Sequence, residues 1–231
     1  MSESPRFVVL LDANTLAKPV TRTLLMIAGA GSGYGTTWSA HVEDEANRHL
    51  RPGQTSVTSV RVAAGQQLSE AGRDAERFSR TSAGDRQVLA DAVAAHAMFI
   101  ATEDVDDFDE RDLALAGVAA VNPDLFMSVR LTTAGYTAAV TFLSGRSQNP
   151  HRTPEEYHRA LGRVHPRTVL AHQAAFPQVV PAPATHNPAA RLYRGNRCLI
   201  CLELEDLREL GICAGCATGG TRAVAGTSYS G

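Results

Sequence analysis

The sequence predicts an α/β protein built on a mostly parallel sheet, and three features of its first 130 residues carry that prediction. The run Phe7-Val8-Val9-Leu10-Leu11 is apolar and rich in β-branched residues, as a strand buried on both faces must be. Strand-like and helix-like patterns then alternate, which implies βαβ units. Two strand-like runs end in acid: Asp12 follows the first, and the stretch 103–109, Glu-Asp-Val-Asp-Asp-Phe-Asp, follows the run 97–102. In open parallel sheets the carboxyl ends of the strands face the ligand crevice, so acids placed there draw attention.

After Asp12, residues 21–28 fit a short helix, the glycine-rich stretch 29–35 a turn, and 34–38 a second strand. Ser39 is placed to cap the next helix, which carries Val42, Ala46 and Leu50 on one stripe and stops at Pro52-Gly53. Residues 55–78 are the least patterned part: valines alternate at first, and a polar helix is expected from about Ala63. Gly84-Asp85 precedes a strongly helical stretch, 86–96, in which Val88, Leu89, Ala92, Val93 and Ala95 form a packed face. A strand at 97–102, a last short strand at 116–121 and a helix opening at 124–130 complete the unit, taken as residues 6–130.

Beyond it the chain changes character. Segments 134–143, 154–161 and 166–175 read as three short helices in an extension spanning 131–176. A proline-rich stretch, 177–194, has too little apolar surface for a core and reads as a semi-extended linker. Residues 195–217 hold all four cysteines, and 218–231, rich in Gly, Ser and Thr, read as a disordered tail. Charge follows the same division: residues 1–125 sum to −7, 126–200 to +7 and the remainder to −2. An acidic body therefore carries a basic belt, and every basic residue of the chain except Lys18 is arginine.

With 44% hydrophobic and 20% charged residues and a mean hydropathy of −0.13, the 231-residue chain is of ordinary globular composition, not disordered, collagenous or coiled-coil. Its most apolar run, 7–11, falls far short of the ~20 residues a membrane-spanning helix needs. The start of the chain, with Glu3 and no basic segment, does not read as a signal peptide, so a cytoplasmic, reducing setting is expected. Cysteines there serve as metal ligands or free thiols more than as disulfides.

If the sheet is parallel, Asp12, Glu45, Asp85, Asp104 and Asp107 converge on one edge. Crowded carboxylates raise one another's pKa and persist when a cation neutralises them. Oxygen donors suit Mg²⁺ or Mn²⁺, and the chemistry such ions support is phosphoryl transfer by an activated water. A basic belt beside the acids would supply the attraction for a polyanion that the acids oppose. Any single acid ending a strand is as well explained by a turn or cap. Glu43 and Asp44 are expected to face water, and Asp109, Glu110 and Asp112 to be solvated surface.

Four segments, Leu10-Leu11-Asp12-Ala13-Asn14, Trp38-Ser39-x-x-Val42-x-x-Glu45, Gly84-Asp85-Arg86-x-Val88-Leu89 and Thr102-Glu103-Asp104-Val105-Asp106-Asp107-Phe108, resemble the motifs of PIN-domain nucleases. The likeness is nearest to toxins of the VapBC toxin–antitoxin class and covers about residues 6–130. It implies a PIN-like three-layer α/β/α fold. Asp12, Glu45, Asp85, Asp104 and Asp107 would be the catalytic, Mg²⁺- or Mn²⁺-binding acids, with Asp106 competing for the last place. Asn14 and Thr102 would be polar residues at the substrate side. The implied activity is metal-dependent endoribonuclease cleavage of RNA that leaves a 5′-phosphate and a 3′-hydroxyl. The implied partners are an antitoxin protein and a second copy in a homodimer.

Cys198-x-x-Cys201 and Cys213-x-x-Cys216 form two knuckles with the spacing of a tetrahedral, structural Zn²⁺ site, with Gly195 and Gly215 easing the turns. Glu203, Glu205, Asp206 and Glu209 between them make this zinc-ribbon-like module a poor phosphate-binding face. A PIN domain followed by such a module also resembles rRNA-processing endonucleases, and a catalytically inactive PIN-like binding protein is the third alternative. His151, His158, His165 and His172 recur every seven residues, but Pro154 and Pro166 prevent one continuous helix. They are expected to be exposed or to contact phosphate.

Overall fold

Residues 5–148, 150–183, 191–205, 207 and 210–218 are described by the computed structural model. Strand β1 (Phe7–Leu11) pairs in parallel with β2 (Tyr34–Thr37) on one side and β3 (Ala97–Ala101) on the other. Strand β4 (Ala119–Val121) pairs in parallel with β3, and a two-residue β5 (Tyr193–Arg194) closes the edge antiparallel to β4, giving the order β2-β1-β3-β4-β5. Val9, Leu10, Leu11, Phe99, Ile100, Ala101 and all of β4 are buried, as a sheet covered on both faces requires.

The chain leaves β1 for β2 and then returns across it to β3, so the strand order reverses between β1 and β3. Their adjacent carboxyl ends form the crevice where such sheets bind ligands. Helices α1 (Ala13–Leu16) and α2 (Pro19–Ala30) join β1 to β2, and α3 (Ala40–Arg48), α4 (Val57–Ala63) and α5 (Ala83–Ala94) join β2 to β3. Crossovers of one hand running in opposite directions put these two groups on opposite faces. A 3₁₀ turn (Val105–Asp107) and α6 (Glu110–Ala116) lead to β4, and α7 (Pro123–Arg130) follows it.

Several buried charges fix this frame. Asp91 of α5, fully buried, accepts hydrogen bonds from the Ser39 hydroxyl, from the Gly72 amide at 2.7 Å and from Gln87 Nε2 at 2.7 Å. Ser39 is itself the N-cap of α3, so one carboxylate ties the start of the helix bearing Glu45 to the body of the helix bearing Asp85. Gly72 is required there, since a Cβ would lie 2.0 Å from the Ala90 carbonyl carbon. Glu43, expected to face water, is buried and accepts from Trp38 Nε1 (2.9 Å), Thr58 Oγ1 (2.8 Å) and Arg61 Nε (2.8 Å), whereas Asp44 is exposed. Asp112, expected on the surface, is buried and accepts the Arg80 and Thr81 amides at 2.9 and 2.7 Å.

The polar helix expected from Ala63 is absent; the helix ends there instead. Ser56 caps it, its hydroxyl accepting the Ser59 amide at 3.0 Å, and Val57 is its one buried residue. The following segment lacks an apolar stripe and bonds to its surroundings through Gln66 Nε2 to Thr36 O (2.6 Å) and Ser69 N to Trp38 O (3.0 Å). Ser82 caps α5 three residues before the sequence pattern suggests, and α6, capped by Asp109, adds a helix where the sequence pattern marks none.

The extension comprises α8 (Thr133–Arg146), α9 (Pro154–Leu161) and α10 (Pro166–Ala171). Helix α8 packs on α2, and a Cβ at Gly135 would lie 2.7 Å from Ala28 O. Buried Asp124 of α7 receives the Arg167 and Thr168 amides of α10 at 3.0 and 2.9 Å. Three of the four histidines overturn the expectation of exposure. His158, His165 and His172 are buried while His151 is exposed. His158 Nδ1 meets Tyr136 Oη at 2.8 Å, His172 stacks on Tyr136 at 4.4 Å, and His165 Nε2 meets Thr21 Oγ1 at 3.0 Å. Burial disfavours the charged forms of all three, and His158 and His172 serve as aromatic packing.

The expected linker is packed where it is described. Val179 is buried, Ala182 N donates to Arg159 O at 3.1 Å, and Leu192 O accepts Asn122 N at 2.8 Å beside β5. Residues 184–190 and 219–231, and with the latter nearly all of the predicted tail, lie outside the described residues. Among the described residues no helix is long and apolar enough to cross a membrane.

Candidate active site and thiol cluster

The carboxyl ends of β1 and β3 open into a cleft of about 940 Å³ lined by Asp12, Glu45, Asp85, Asp104 and Asp107. Each comes from a different place in the chain: the end of β1, helix α3, the first turn of α5, the loop after β3 and the last residue of the 3₁₀ turn. Asp106 turns instead to Arg191, 3.3 Å from its Oδ1. The acids' placement follows from local rules. Asp12 caps α1 through Oδ1, 2.7 Å from Ala13 N, and Asp85 occupies the turn capped by Ser82.

Asn14 and Thr102 lace the centre of the cleft. Asn14 Nδ2 lies 3.0 Å from Asp12 Oδ2, 2.9 Å from Asp104 Oδ2 and 2.9 Å from Thr102 Oγ1. The Thr102 hydroxyl donates to Asp12 Oδ2 at 2.8 Å and accepts the Asp104 amide at 3.1 Å. Asn14 Oδ1 accepts the Glu103 amide at 3.2 Å. Two side chains thus orient the acids of two adjacent strands.

Electrostatics reports the same convergence. Burial lifts the Asp12 carboxyl from 3.8 to about 6; hydrogen bonds from Thr102 and Ala13 oppose the rise, and the charges of Asp85 and Glu45 add to it. Asp85 is raised by burial and by Glu45 and Asp104, against the Ser82 hydrogen bond. Asp107 is raised by burial and by Asp85, Asp104 and Asp106. The oxygen-only donor set suits a hard divalent cation, which would relieve this repulsion. The carboxylates stand around an open cleft; among the described residues, the cysteines alone form a group of three or more His, Cys, Asp or Glu with ligand atoms all within 4.8 Å of one another.

Basic groups share the cleft. Lys18 and Arg51 come from the α/β unit and Arg163 from the loop between α9 and α10, with the imidazoles of His49 and His165 lining the same cleft. The belt is not a uniform polyanion surface, however. Arg130 donates to Leu199 O and Ile200 O at 3.1 Å each and lies over the Phe7 ring. Arg197 donates to Gly117 O and Leu202 O at 2.7 Å each. These guanidiniums fasten the C-terminal module to the body.

In that module Cys198, Cys201, Cys213 and Cys216 are free thiols gathered in one group, the first three buried, and could hold a metal such as zinc. Burial works to raise the Cys198 thiol, but amides of Cys213, Cys201 and Ile200 directed at its sulfur bring it below its ordinary value. The Ile200 and Cys213 amides lie 3.4 Å from Cys198 Sγ. Gly195, with φ +127°, does serve a turn, as expected; Gly215 does not, lying in α11 (Ala214–Ala217) with open space around it. Its counterpart is Gly211, at φ +70°, where a Cβ would lie 2.5 Å from the Tyr193 ring. Of the intervening acids, Asp206 and Glu209 lie outside the described residues.

Sequence reasoning passed over Asp91, Glu43 and Asp112, which position the helices around the cleft. The Trp38…Glu43 and Ser39…Asp91 pairings bury two acids whose type alone reads as solvated surface. No protein-family model, curated protein or solved structure shows a significant match to the chain.

Proposed function

We propose that the chain is a metal-dependent endoribonuclease of the PIN type, hydrolysing RNA phosphodiester bonds in the cleft between β1 and β3. The observation that carries the reading is the meeting of five carboxylates from separate elements at the reversal point of a parallel sheet, with Asp12 held up to about 6. Asp12, Glu45, Asp85, Asp104 and Asp107 would hold Mg²⁺ or Mn²⁺. Such an ion, when bound, polarises the phosphate and lowers the pKa of a water to make a nucleophile. The chain's own part is orientation. Thr102 and Asn14 fix the Asp12 and Asp104 oxygens, and Arg51 and Arg163 offer positive charge to RNA phosphates, while Lys18 pairs with Glu103. The thiol cluster is read as a structural Zn²⁺ site, since four protein ligands leave no open coordination position.

Within this reading the protein is the toxin of a toxin–antitoxin pair, bound by a small antitoxin protein and forming a homodimer. A second reading, an rRNA-processing endonuclease, is favoured by one feature: the thiol module is pinned onto the body by Arg130 and Arg197. Incubation with a mixed RNA pool and Mn²⁺ tests the activity. Cleavage leaving 5′-phosphates is expected from the wild type and lost in Asp12→Ala and Asp104→Ala with folding retained; equal cleavage by all three overturns it. Affinity capture from native cells separates the two roles, a small protein marking the toxin and ribosomal particles the processing enzyme.

A further inference from the structure

The turn that delivers Asp107 to the cleft is held from outside the α/β unit. Arg194 of β5 points one guanidinium nitrogen, Nη1, at the carbonyl oxygens of Asp106 and Phe108, at 2.9 and 2.6 Å. That nitrogen carries two hydrogens, one for each carbonyl, and the two carbonyls flank Asp107. From the cleft side the turn is closed by the Asp107 amide donating to Asp104 O at 3.1 Å. The Arg194 side chain is mostly buried, with Glu110 Oε1 3.6 Å from its Nε. Its backbone pairs with Ala120 of β4.

Arg194 is in turn set by the thiol module. Tyr193, its neighbour, packs against Gly211 and donates its hydroxyl to Arg197 O. Gly195 follows at φ +127°, with a Cβ there 2.8 Å from Ala119 Cβ, so no other residue fits without displacing the edge strand. Cys198 lies three residues further on. A continuous path of backbone and packed side chains therefore runs from the cysteines to the acidic turn.

We propose that Arg194 is a positioning residue for Asp107, by which the C-terminal thiol module completes the acidic cleft. The inference rests on the nuclease reading of that cleft. Partners that orient metal-binding carboxylates without touching the ion alter its affinity about 10–100-fold when removed. Arg191 supplies the comparison: half-exposed, it pairs, among the described residues, with the side chains of Asp106 and Glu110, at 3.3 Å each, and exposed ion pairs of this kind contribute little.

The test measures, on the full chain, the Mn²⁺ concentration giving half-maximal RNA cleavage, together with thermal unfolding. Arg194→Met is expected to raise that concentration by about tenfold or more, with KM for RNA unchanged and the rate recovered at high Mn²⁺. Arg194→Lys, which keeps the charge and loses the fork, falls between, and Arg191→Met matches the wild type. A merely structural role for Arg194 would lower the unfolding temperature and leave the half-activating concentration alone, and that result overturns the proposal. If Arg194→Met does not fold, Arg194→Lys decides on the same criterion. A wild type that cleaves no RNA at any Mn²⁺ concentration overturns the nuclease reading and this proposal together, whereas an active wild type with an unaltered Arg194 variant overturns the proposal alone.

Discussion

Asp12 and Asp104, from the ends of neighbouring strands, share one amide: Asn14 Nδ2 lies 3.0 Å from an oxygen of the first and 2.9 Å from an oxygen of the second. The same nitrogen also meets Thr102 Oγ1 at 2.9 Å, so two hydrogens serve three acceptors. A donor placed between two acids relieves their repulsion in part. Burial, with smaller additions from the charges of Asp85 and Glu45, still raises Asp12, and that rise leads to a measurable consequence.

Folding raises the Asp12 pKa above its ordinary value, so the neutral acid favours the folded state. That contribution is complete below 3.8 and is lost as pH rises through about 6. Asp12→Asn, which cannot ionise, should therefore gain on the wild type between pH 4 and 7.5 by about 2–3 kcal/mol in metal-free buffer. Saturating Mn²⁺ should remove the advantage by stabilising the ionised wild type. Chemical unfolding at the two pH values, with and without Mn²⁺, checks both parts; a gap independent of pH contradicts the account of Asp12.

Glu43 behaves in the opposite sense. Burial alone would raise its carboxyl, but donors from Arg61, Trp38 and Thr58 hold it below its ordinary 4.5. Its contribution is thus present above 4.5 and lost as pH falls through the lowered value. Glu43→Ala should cost about 2–4 kcal/mol at pH 7, because it strands the buried Trp38 N–H and the partly buried Arg61. The loss should shrink in acid. Denaturant titration at pH 7 and pH 3.5 reads this, and an unchanged midpoint at pH 7 would place Glu43 outside the scaffold.

The strands and the positions of the cleft acids are legible in the sequence because both obey short-range rules. A buried parallel strand is a continuous apolar run, and Asp12 stands at the residue where that run meets the crevice. The cap Ser39 is equally local. What escapes is decided by tertiary contact. Glu43 and Asp112 carry the residue types of a solvated face, and only partners from other parts of the chain, Arg61 for one and the Arg80 and Thr81 amides for the other, make their burial tolerable. His158 and His172 fail similarly, since stacking on Phe176 and Tyr136 leaves no trace in spacing. Strand β5 is two residues long and owes its place to β4, a pairing that no two-residue pattern announces.

The thiol cluster should bind about one zinc ion per chain. Elemental analysis of protein purified without added metal checks the stoichiometry. Chelation should expose the backbone of 195–217 to hydrogen exchange and lower the unfolding temperature, because a module of this size has few apolar contacts to stand on. Disulfides between the knuckles in freshly isolated protein would contradict the assignment.

The most direct measurement is Mn²⁺ affinity, read by calorimetry at pH 7.5 on the full chain with its thiol site loaded with zinc. Asp12→Asn, Asp85→Asn and Asp104→Asn should each weaken binding by about tenfold or more, whereas Asp44→Asn, an exposed acid on the same helix as Glu45, should leave it unchanged. Equal affinity in all five proteins would mean that the carboxylates of the cleft do not serve a common ion.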